Sequence, residues 1–460
     1  MFKLDLPEIA GAISATLEGG RQGVFGSVCT DSRAVNKGAL FFALCGERFD
    51  GHQFAQKAVE QGAAGVVAQR RPEGLPPGVP LLLVKDTLAA LQDLARYNRQ
   101  KFTGPLVGVT GSSGKTSTKD LIYSVISAGF RTLKTEGNLN NEVGLPLTLL
   151  RIDQNCQAAV VEMAMRGMGE IDLLGGLALP SGAVITNIGE AHFELLGSVD
   201  NIARAKGEIL DHVPEQGFAV LHGDSPYMRR EARRCRGRVI FFGEDPGFGV
   251  SLKNAVPEAG GNRFTASVRG REEEFFVPLP GRHNVINSLA AIAVGLELGL
   301  DLAEVRKGLA GAHLTALRLE ISHWNGLKII NDSYNANPSS TRAAIQVLGE
   351  AAGEGSRKIA VLGDMLELGE KSDQAHREVG RAAREAGVHL LVAVGERAGS
   401  IGLGAREAGL PARSIHYCRT AREAAGVVRQ LAAPGDVILV KGSRGMKMEE
   451  FVTALQEDNR

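Results

Sequence analysis

The stretch Gly111-Ser-Ser-Gly-Lys-Thr-Ser117 has the clearest chemical meaning in this chain. It follows the apolar run 104–109 and precedes 118–125, which has the pattern of a helix. A strand that passes through a glycine turn into a helix aims backbone N–H groups and a helix N-terminus at one point, where phosphate oxygens can sit. Lys115 would reach the outer phosphates and the Thr116 hydroxyl would hold Mg²⁺. Gly111, Ser112, Ser113, Gly114, Lys115, Thr116 and Ser117 are therefore read as a nucleotide loop for ATP or GTP. The general pattern G-x-x-x-x-G-K-S/T asks for glycine where Val109 stands, so only the shorter G-x-x-G-K-T-S remains. A Gly-Ser turn before a helix is common punctuation. Lysine and threonine directly after Gly114, behind a buried-looking strand, favour the phosphate reading.

Other residue types with chemical potential stand at the ends of apolar runs. Glu162 closes the run from Ala158, and Glu190-Ala-His192 follows Asn187-Ile-Gly189. Carboxylate and imidazole ligands at strand ends can hold Mg²⁺ between a nucleotide and an acceptor. Taken singly, each is also an ordinary strand-end or helix-start residue. Lys206 belongs to the helical pattern 199–210, and by residue type it reads as a solvated surface lysine. Asn284 and Asn287 either present amides to a base edge or cap their helix. Asp332 follows the strand Leu327–Asn331 in a polar string that also suits a turn. Lys441-Gly-Ser-Arg444 lies between a strand and a helix-like segment, where a carboxylate or phosphate can bind. His376 sits inside a charged helix and reads as structural.

These groups need a frame that holds strand ends together. The second part of the chain alternates short apolar runs (158–163, 181–187, 217–221) with helices, which implies a mostly parallel sheet covered by helices. In such sheets ligands collect at the carboxyl ends of the strands. A fresh series of strands at 327–331, 358–363, 389–395 and 436–441 describes another doubly wound α/β unit. Before the nucleotide loop, apolar runs at 39–44, 65–68 and 80–84 surround a helix pattern at 53–61, and a second helix pattern at 87–100 leads to the boundary at Gly104-Pro105. The expected fold is α/β in three units, 1–103, 104–317 and 318–460, in keeping with 460 residues.

Composition narrows the function classes. The chain is 44% hydrophobic and 23% charged, an ordinary globular balance. A formal net charge of zero, without an Arg- or Lys-rich tract, argues against a nucleic-acid partner held by phosphate neutralisation. No apolar stretch is long enough to cross a bilayer, and the N-terminus lacks a signal-like core. Five scattered cysteines without C-x-x-C spacing suit reduced thiols. A cytoplasmic protein without membrane insertion is expected.

Together the motifs resemble one family. Thr110 to Thr116, Gly137-Asn-Leu-Asn-Asn-Glu142, Val161-Glu-Met163, Ala191-His192, Ala205-Lys206, Gly281-Arg-His-Asn-Val-Ile-Asn287, Leu317-Arg318 and Asp332-Ser-Tyr-Asn-Ala-Asn337 stand in the order seen in Mur ligases. These are the ATP-dependent amide-bond-forming enzymes of peptidoglycan precursor synthesis. Within the family, 137–141, 332–337, 361–369 and 441–444 most resemble the member that adds D-alanyl-D-alanine to UDP-N-acetylmuramoyl-tripeptide. The resemblance implies a small N-terminal α/β domain for the UDP part, a central P-loop parallel-sheet ATPase and a C-terminal Rossmann-like domain. It also reverses the reading of Lys206, which matches the family lysine that takes up CO₂ as a carbamate and becomes an anionic Mg²⁺ ligand. Glu162 and His192 match the other ligands of that ion, and Thr116 the ligand of the first. Asn284, Asn287, Arg318 and Asp332 match positions around ATP. Ser32, Arg33, Asp50, Gly51, His52, Asn138 and Arg166 are implied for the UDP substrate, and Tyr334, Asn335 and Asn337 for the dipeptide. Lys115, Lys206 and His192 carry the implied catalysis, with ATP and Mg²⁺ as cofactors and a monomer as the working form. One departure is Ala164, where related sequences often carry glycine. The third residue of the tripeptide, diaminopimelate or lysine, is not legible in these motifs. A folylpolyglutamate synthase would share the ATP site but lack a UDP-binding first domain.

Overall fold

The computed structural model describes residues 1–20, 22–46, 49–189, 193–353 and 355–457. The first unit carries a five-stranded sheet in the order Thr16–Glu18, Leu81–Leu83, Gly65–Ala68, Leu40–Phe42, Val28–Cys29, antiparallel only at its first pair. A separate antiparallel pair joins Leu4–Asp5 to Val24–Phe25. The helix pattern at 87–100 is realised as Thr87–Gln100, begun by Asp86, whose side chain accepts from the amides of Leu88 and Ala89. The pattern at 53–61 is split into a 3₁₀ turn, Gly51–Phe54, and a short helix, Ala55–Glu60. Asp50 accepts from the His52 amide and so tightens that entry.

The central unit holds a nine-stranded sheet. Its parallel part runs Thr132–Lys134, Ala158–Glu162, Leu106–Thr110, Gly182–Ile185, Phe218–His222, Arg238–Gly243. Leu106–Thr110 is buried along its whole length, as an apolar strand covered on both faces should be. In register, Glu162 pairs with Val109 and Ile185 with Thr110, so three strands end at one level. Beyond Gly243 the sheet continues through three long strands, Val250–Glu258, Gly261–Val268 and Arg271–Val277, the last two antiparallel to their neighbours. The expectation of strands alternating with helices did not include this extension. Its last strand carries polar residues such as Glu272 and Glu274 on its open face, so it lacks the continuous apolar run that marks a buried strand.

The helix Lys115–Ile126 packs under this sheet against Arg282–Glu297 and Leu302–Ala310. Glycine permits that closeness, because a Cβ on Gly308 would lie 2.5 Å from the Val125 Cα. The third unit is a six-stranded sheet in the order Glu320–Trp324, Leu327–Asn331, Val437–Lys441, Lys358–Gly363, Leu390–Val394, Ile415–Cys418, with only the first pair antiparallel. Separate apolar cores cover its two faces. Between the first and second units, in contrast, one core is continuous, running from Leu6 and Leu94 to Leu145 and Leu149. No helix among the described residues is long and apolar enough to cross a membrane.

Candidate active site

The nucleotide loop is shaped by the end of the adjacent strand. Ser112 N–H donates to the Asn187 carbonyl at 3.1 Å and Ser113 N–H to the Asn187 side-chain oxygen at 2.9 Å. Asn187 donates in turn to Ser113 Oγ at 2.6 Å, and Thr186 Oγ1 to the Ser113 carbonyl at 2.6 Å. Gly111 has φ +152°, and a Cβ there would stand 1.9 Å from Thr186 Oγ1. Gly114, at φ +75°, starts the helix from the left-handed region. The loop is thus held open by backbone and hydroxyl contacts rather than by side-chain bulk. Lys115 reaches back to the Gly111 carbonyl at 2.9 Å. Burial lowers its pKa, while Glu162 works in the opposite direction.

Thr116 Oγ1 donates to Glu162 Oε2 at 2.8 Å, and the other Glu162 oxygen accepts from Asn140 Nδ2 at 2.8 Å. A hydroxyl and a carboxylate joined in this way are hard oxygen donors of the kind Mg²⁺ takes. Lys206 is fully buried, and its Nζ has no hydrogen-bond partner among the described residues. Burial, with Lys115 adding to it, pushes its pKa well below the usual lysine range. The helical periodicity at 199–210 holds in Val199–Gly207, but the reading of Lys206 as a solvated surface residue does not. Helical spacing reports a face only relative to what packs on it, and here the central domain covers it. His192 lies outside the described residues.

The C-terminal unit closes over this loop. Arg318 stands between Leu317 (φ +64°) and Leu319 (φ +50°), two non-glycine residues in the left-handed region. Its guanidinium donates to Thr116 Oγ1 at 2.8 Å and lies over the Tyr334 ring at 4.3 Å. Asp332 sits at its strand end, as read from sequence, and binds Lys441 Nζ at 2.5 Å. It also accepts from the Leu319 amide at 3.3 Å. Asn284 and Asn287 are buried on the helix Arg282–Glu297; the Asn284 amide donates to the Pro280 carbonyl, and its oxygen has no partner among the described residues. Asn287 faces Gly114, where a Cβ would approach its side-chain oxygen to 3.2 Å. A cleft of about 190 Å³ between the two units is lined by Ser112 and Lys115 on one side, and by Asn335, Asn337, Leu366 and Arg444 on the other. Asn337 also caps its helix, accepting from the Ser340 amide at 2.9 Å.

In the N-terminal unit, Asp50, Gly51 and His52 form one organised turn. Asp50 Oδ1 lies 2.6 Å from His52 Nδ1, and Arg70 holds the other carboxylate oxygen. A Cβ on Gly51 would strike the Leu44 carbonyl at 2.5 Å. Cys45 stands beside this pair, giving a Cys-Asp-His cluster with metal-like proximity. The Gln69 amide, however, donates to His52 Nε2 at 2.9 Å, so Nδ1 carries the proton and points it at Asp50. That tautomer leaves no lone pair on Nδ1 for a metal. Ser32 is buried nearby in sequence, whereas Arg33 is exposed and paired with Asp31. Asn138 and Arg166, implied for the UDP substrate, are exposed. Asn140, from the same asparagine string, was not singled out from sequence yet donates to Glu162, and its place in that string was the available signal. Asp120 and Thr315, which tie the domain linker to the nucleotide-loop helix, left no motif to find.

Family models described as "Mur ligase middle domain", "Mur ligase, glutamate ligase domain" and "Mur ligase family, catalytic domain" match residues 109–295, 317–444 and 25–99. The UDP-N-acetylmuramoyl-tripeptide–D-alanyl-D-alanine ligase of Bacillus subtilis is 42% identical over 460 residues, covering 99% of each chain. A crystal structure of MurF from Acinetobacter baumannii matches at TM-score 0.89 and 32% identity, covering 99% of each chain. The MurF ligase of Thermotoga maritima in complex with ADP matches at TM-score 0.80 and 29% identity, covering 94% of this chain and 97% of that one.

Proposed function

This chain belongs to the Mur ligase family, and from that premise we propose that it joins D-alanyl-D-alanine to the terminal carboxylate of UDP-N-acetylmuramoyl-tripeptide, using ATP. The observation that carries the reading is the cleft in which the phosphate loop of the central unit faces the 335–337 and 443–445 loops of the C-terminal unit. An acyl donor, a triphosphate and an amine must meet there with water excluded.

A carboxylate is a poor electrophile at neutral pH, so the tripeptide acid attacks the γ-phosphate to give an acyl-phosphate and ADP. The amine of the dipeptide then attacks the acyl carbon, phosphate leaves, and the amine loses a proton. Lys115 and the loop amides from 111–116 neutralise phosphate charge that otherwise repels the incoming carboxylate. Arg318 reaches the same point from the other domain. Thr116, Glu162 and Lys206 are the described residues suited to Mg²⁺, with His192 added by motif alone. Bound there, Mg²⁺ would supply charge neutralisation at the phosphates. Burial without a partner among the described residues lowers the Lys206 pKa and so favours the neutral amine, the form that adds CO₂ to give a carbamate and a proton. The Asp50–His52 turn, with Gly51, Ser32 and Arg33, receives the uridine end, and Asn138 and Arg166 extend toward the peptide. Tyr334, Asn335 and Asn337 border the dipeptide. Action in the cytoplasm as a monomer completes the proposal.

The test is phosphate release from ATP, Mg²⁺ and UDP-linked tripeptide, with and without D-alanyl-D-alanine, alongside the product mass. Release that depends on the dipeptide, with a dipeptide-extended product, is expected. Release indifferent to both peptides, or a phosphorylated product that persists with the dipeptide present, removes the ligase reading.

A further inference from the structure

Asp120 is a fully buried carboxylate that the mechanism above does not use. It sits on the helix Lys115–Ile126, just over one turn beyond Thr116. One oxygen is held by Lys134 at 2.6 Å and by Lys119 at 3.2 Å. The other accepts twice from Thr315, from its amide and from its hydroxyl, each at 2.8 Å. Thr315 lies in the linker between the helix Leu302–Ala310 and the strand Glu320–Trp324. Three residues later the same linker delivers Arg318 to Thr116 Oγ1.

The linker is therefore fastened to one helix at two points, Thr315 to Asp120 and Arg318 to Thr116. Between them Leu317 occupies the left-handed region, and Leu319 does so directly after Arg318. Non-glycine residues hold that conformation only where the surroundings over-determine it. Lys119 extends the network further, donating to the Thr135 carbonyl at 2.9 Å, while Thr135 Oγ1 accepts from the Glu162 amide. A charge this deep in the protein is costly unless its partners are fixed, so the Asp120 cluster is a rigid anchor.

We propose that Asp120 is a positioning residue for the ligation reaction: by holding Thr315 it sets the linker so that Arg318 meets Thr116 and the nucleotide phosphates. The proposal rests on the ligase reading. It acts on the nucleotide side and leaves the uridine site alone, which separates it from a general loss of structure.

The test uses the full chain, with steady-state kinetics for ATP and for the UDP-linked tripeptide and a thermal melt of each variant. Thr315→Ala removes one of the two bonds and is expected to lower kcat/KM for ATP about five- to tenfold, with KM for the UDP-linked tripeptide unchanged. Thr315→Ser, which keeps the hydroxyl, should stay within about twofold of the parent. Asp120→Asn combined with Arg318→Ala should be no slower than Arg318→Ala alone, because the first residue acts through the second. Parental kcat/KM for ATP in Thr315→Ala, failure of serine to retain activity, or losses that multiply in the double variant would each overturn the proposal. If Asp120→Asn does not fold, the Thr315 pair decides alone. A parent chain that fails to ligate refutes the functional reading, whereas a ligating parent with indifferent Thr315 variants refutes only the positioning role.

Discussion

Lys206 shows how far a single side chain's role depends on its surroundings. In water it would be a cation; buried without a partner beside Lys115, it favours the neutral amine. Lys206→Ala is expected to lose most ligation activity and to regain part of it when short carboxylic acids are added, since these can stand where the carbamate would. Parental activity in the variant would contradict the role, and so would a dead variant that no small acid revives. The same residue marks the limit of residue-type reasoning. Its sequence neighbours describe an amphipathic helix correctly, but they do not say that the lysine face is the covered one.

At the scale of elements, the strand ends and the loops after them do the positioning. The loop after Lys358–Gly363 lines the cleft, and a histidine on the next helix holds it. His376 Nε2 accepts from the Met365 amide at 3.0 Å while Nδ1 donates to the Ser372 carbonyl at 2.6 Å. Both contacts together require the neutral ring, and burial lowers the His376 pKa. The unfolded chain therefore takes up this proton first. The stabilising contribution is complete above about pH 6.5 and falls away as pH drops through that value toward the lower folded pKa. Urea melts on either side of about pH 6.5 should show this loss. His376→Gln is expected to be less stable throughout and to have a shallower pH slope; an unchanged slope would assign the acid sensitivity elsewhere. These elements were largely legible from sequence. The strands Leu327–Asn331 and Lys358–Gly363 and the helix Thr87–Gln100 fall on the residues expected, because buried parallel strands and capped amphipathic helices announce themselves locally. The antiparallel extension at 250–277 was not legible, since Val250–Glu258 and Arg271–Val277 carry long exposed stretches and the apolar signal is diluted.

Across the whole molecule, the three units are joined in two different ways. The first and central units share a continuous core, pinned by Asn98, whose side chain donates to the Leu149 and Ile152 carbonyls and accepts from the Phe2 amide. Arg99 adds bonds to the Ala178 and Leu179 carbonyls. Asn98→Ala leaves these buried groups unpaired and is expected to cost about 1–3 kcal/mol. Denaturant melts should report it, together with faster proteolysis at 102–105. A loss below about 0.5 kcal/mol would mean that the shared apolar core alone fixes the two units. The C-terminal unit shares no such apolar core with the central unit among the described residues; it meets it through the linker, the Arg318–Thr116 contact, Val347 and Glu350 at Gly281, and Lys371 lying 3.7 Å from the centre of the Phe193 ring. In the proposed reaction that asymmetry would let the first unit stay fixed to the central one while the third closes over the reacting groups.

The amino-acid sequence by itself determined the glycine turn at 111–114, the strands and helices that flank it and the order of the family motifs. These depend on φ, periodicity and neighbours a few residues away. Only the tertiary structure decided that Lys206 is buried without a partner among the described residues, that Asn140 donates to Glu162, and that Asp120 holds a linker 195 residues further along the chain. The reason is electrostatic: the state of a charge is set by whatever folding brings within a few ångströms, and sequence spacing does not carry that distance.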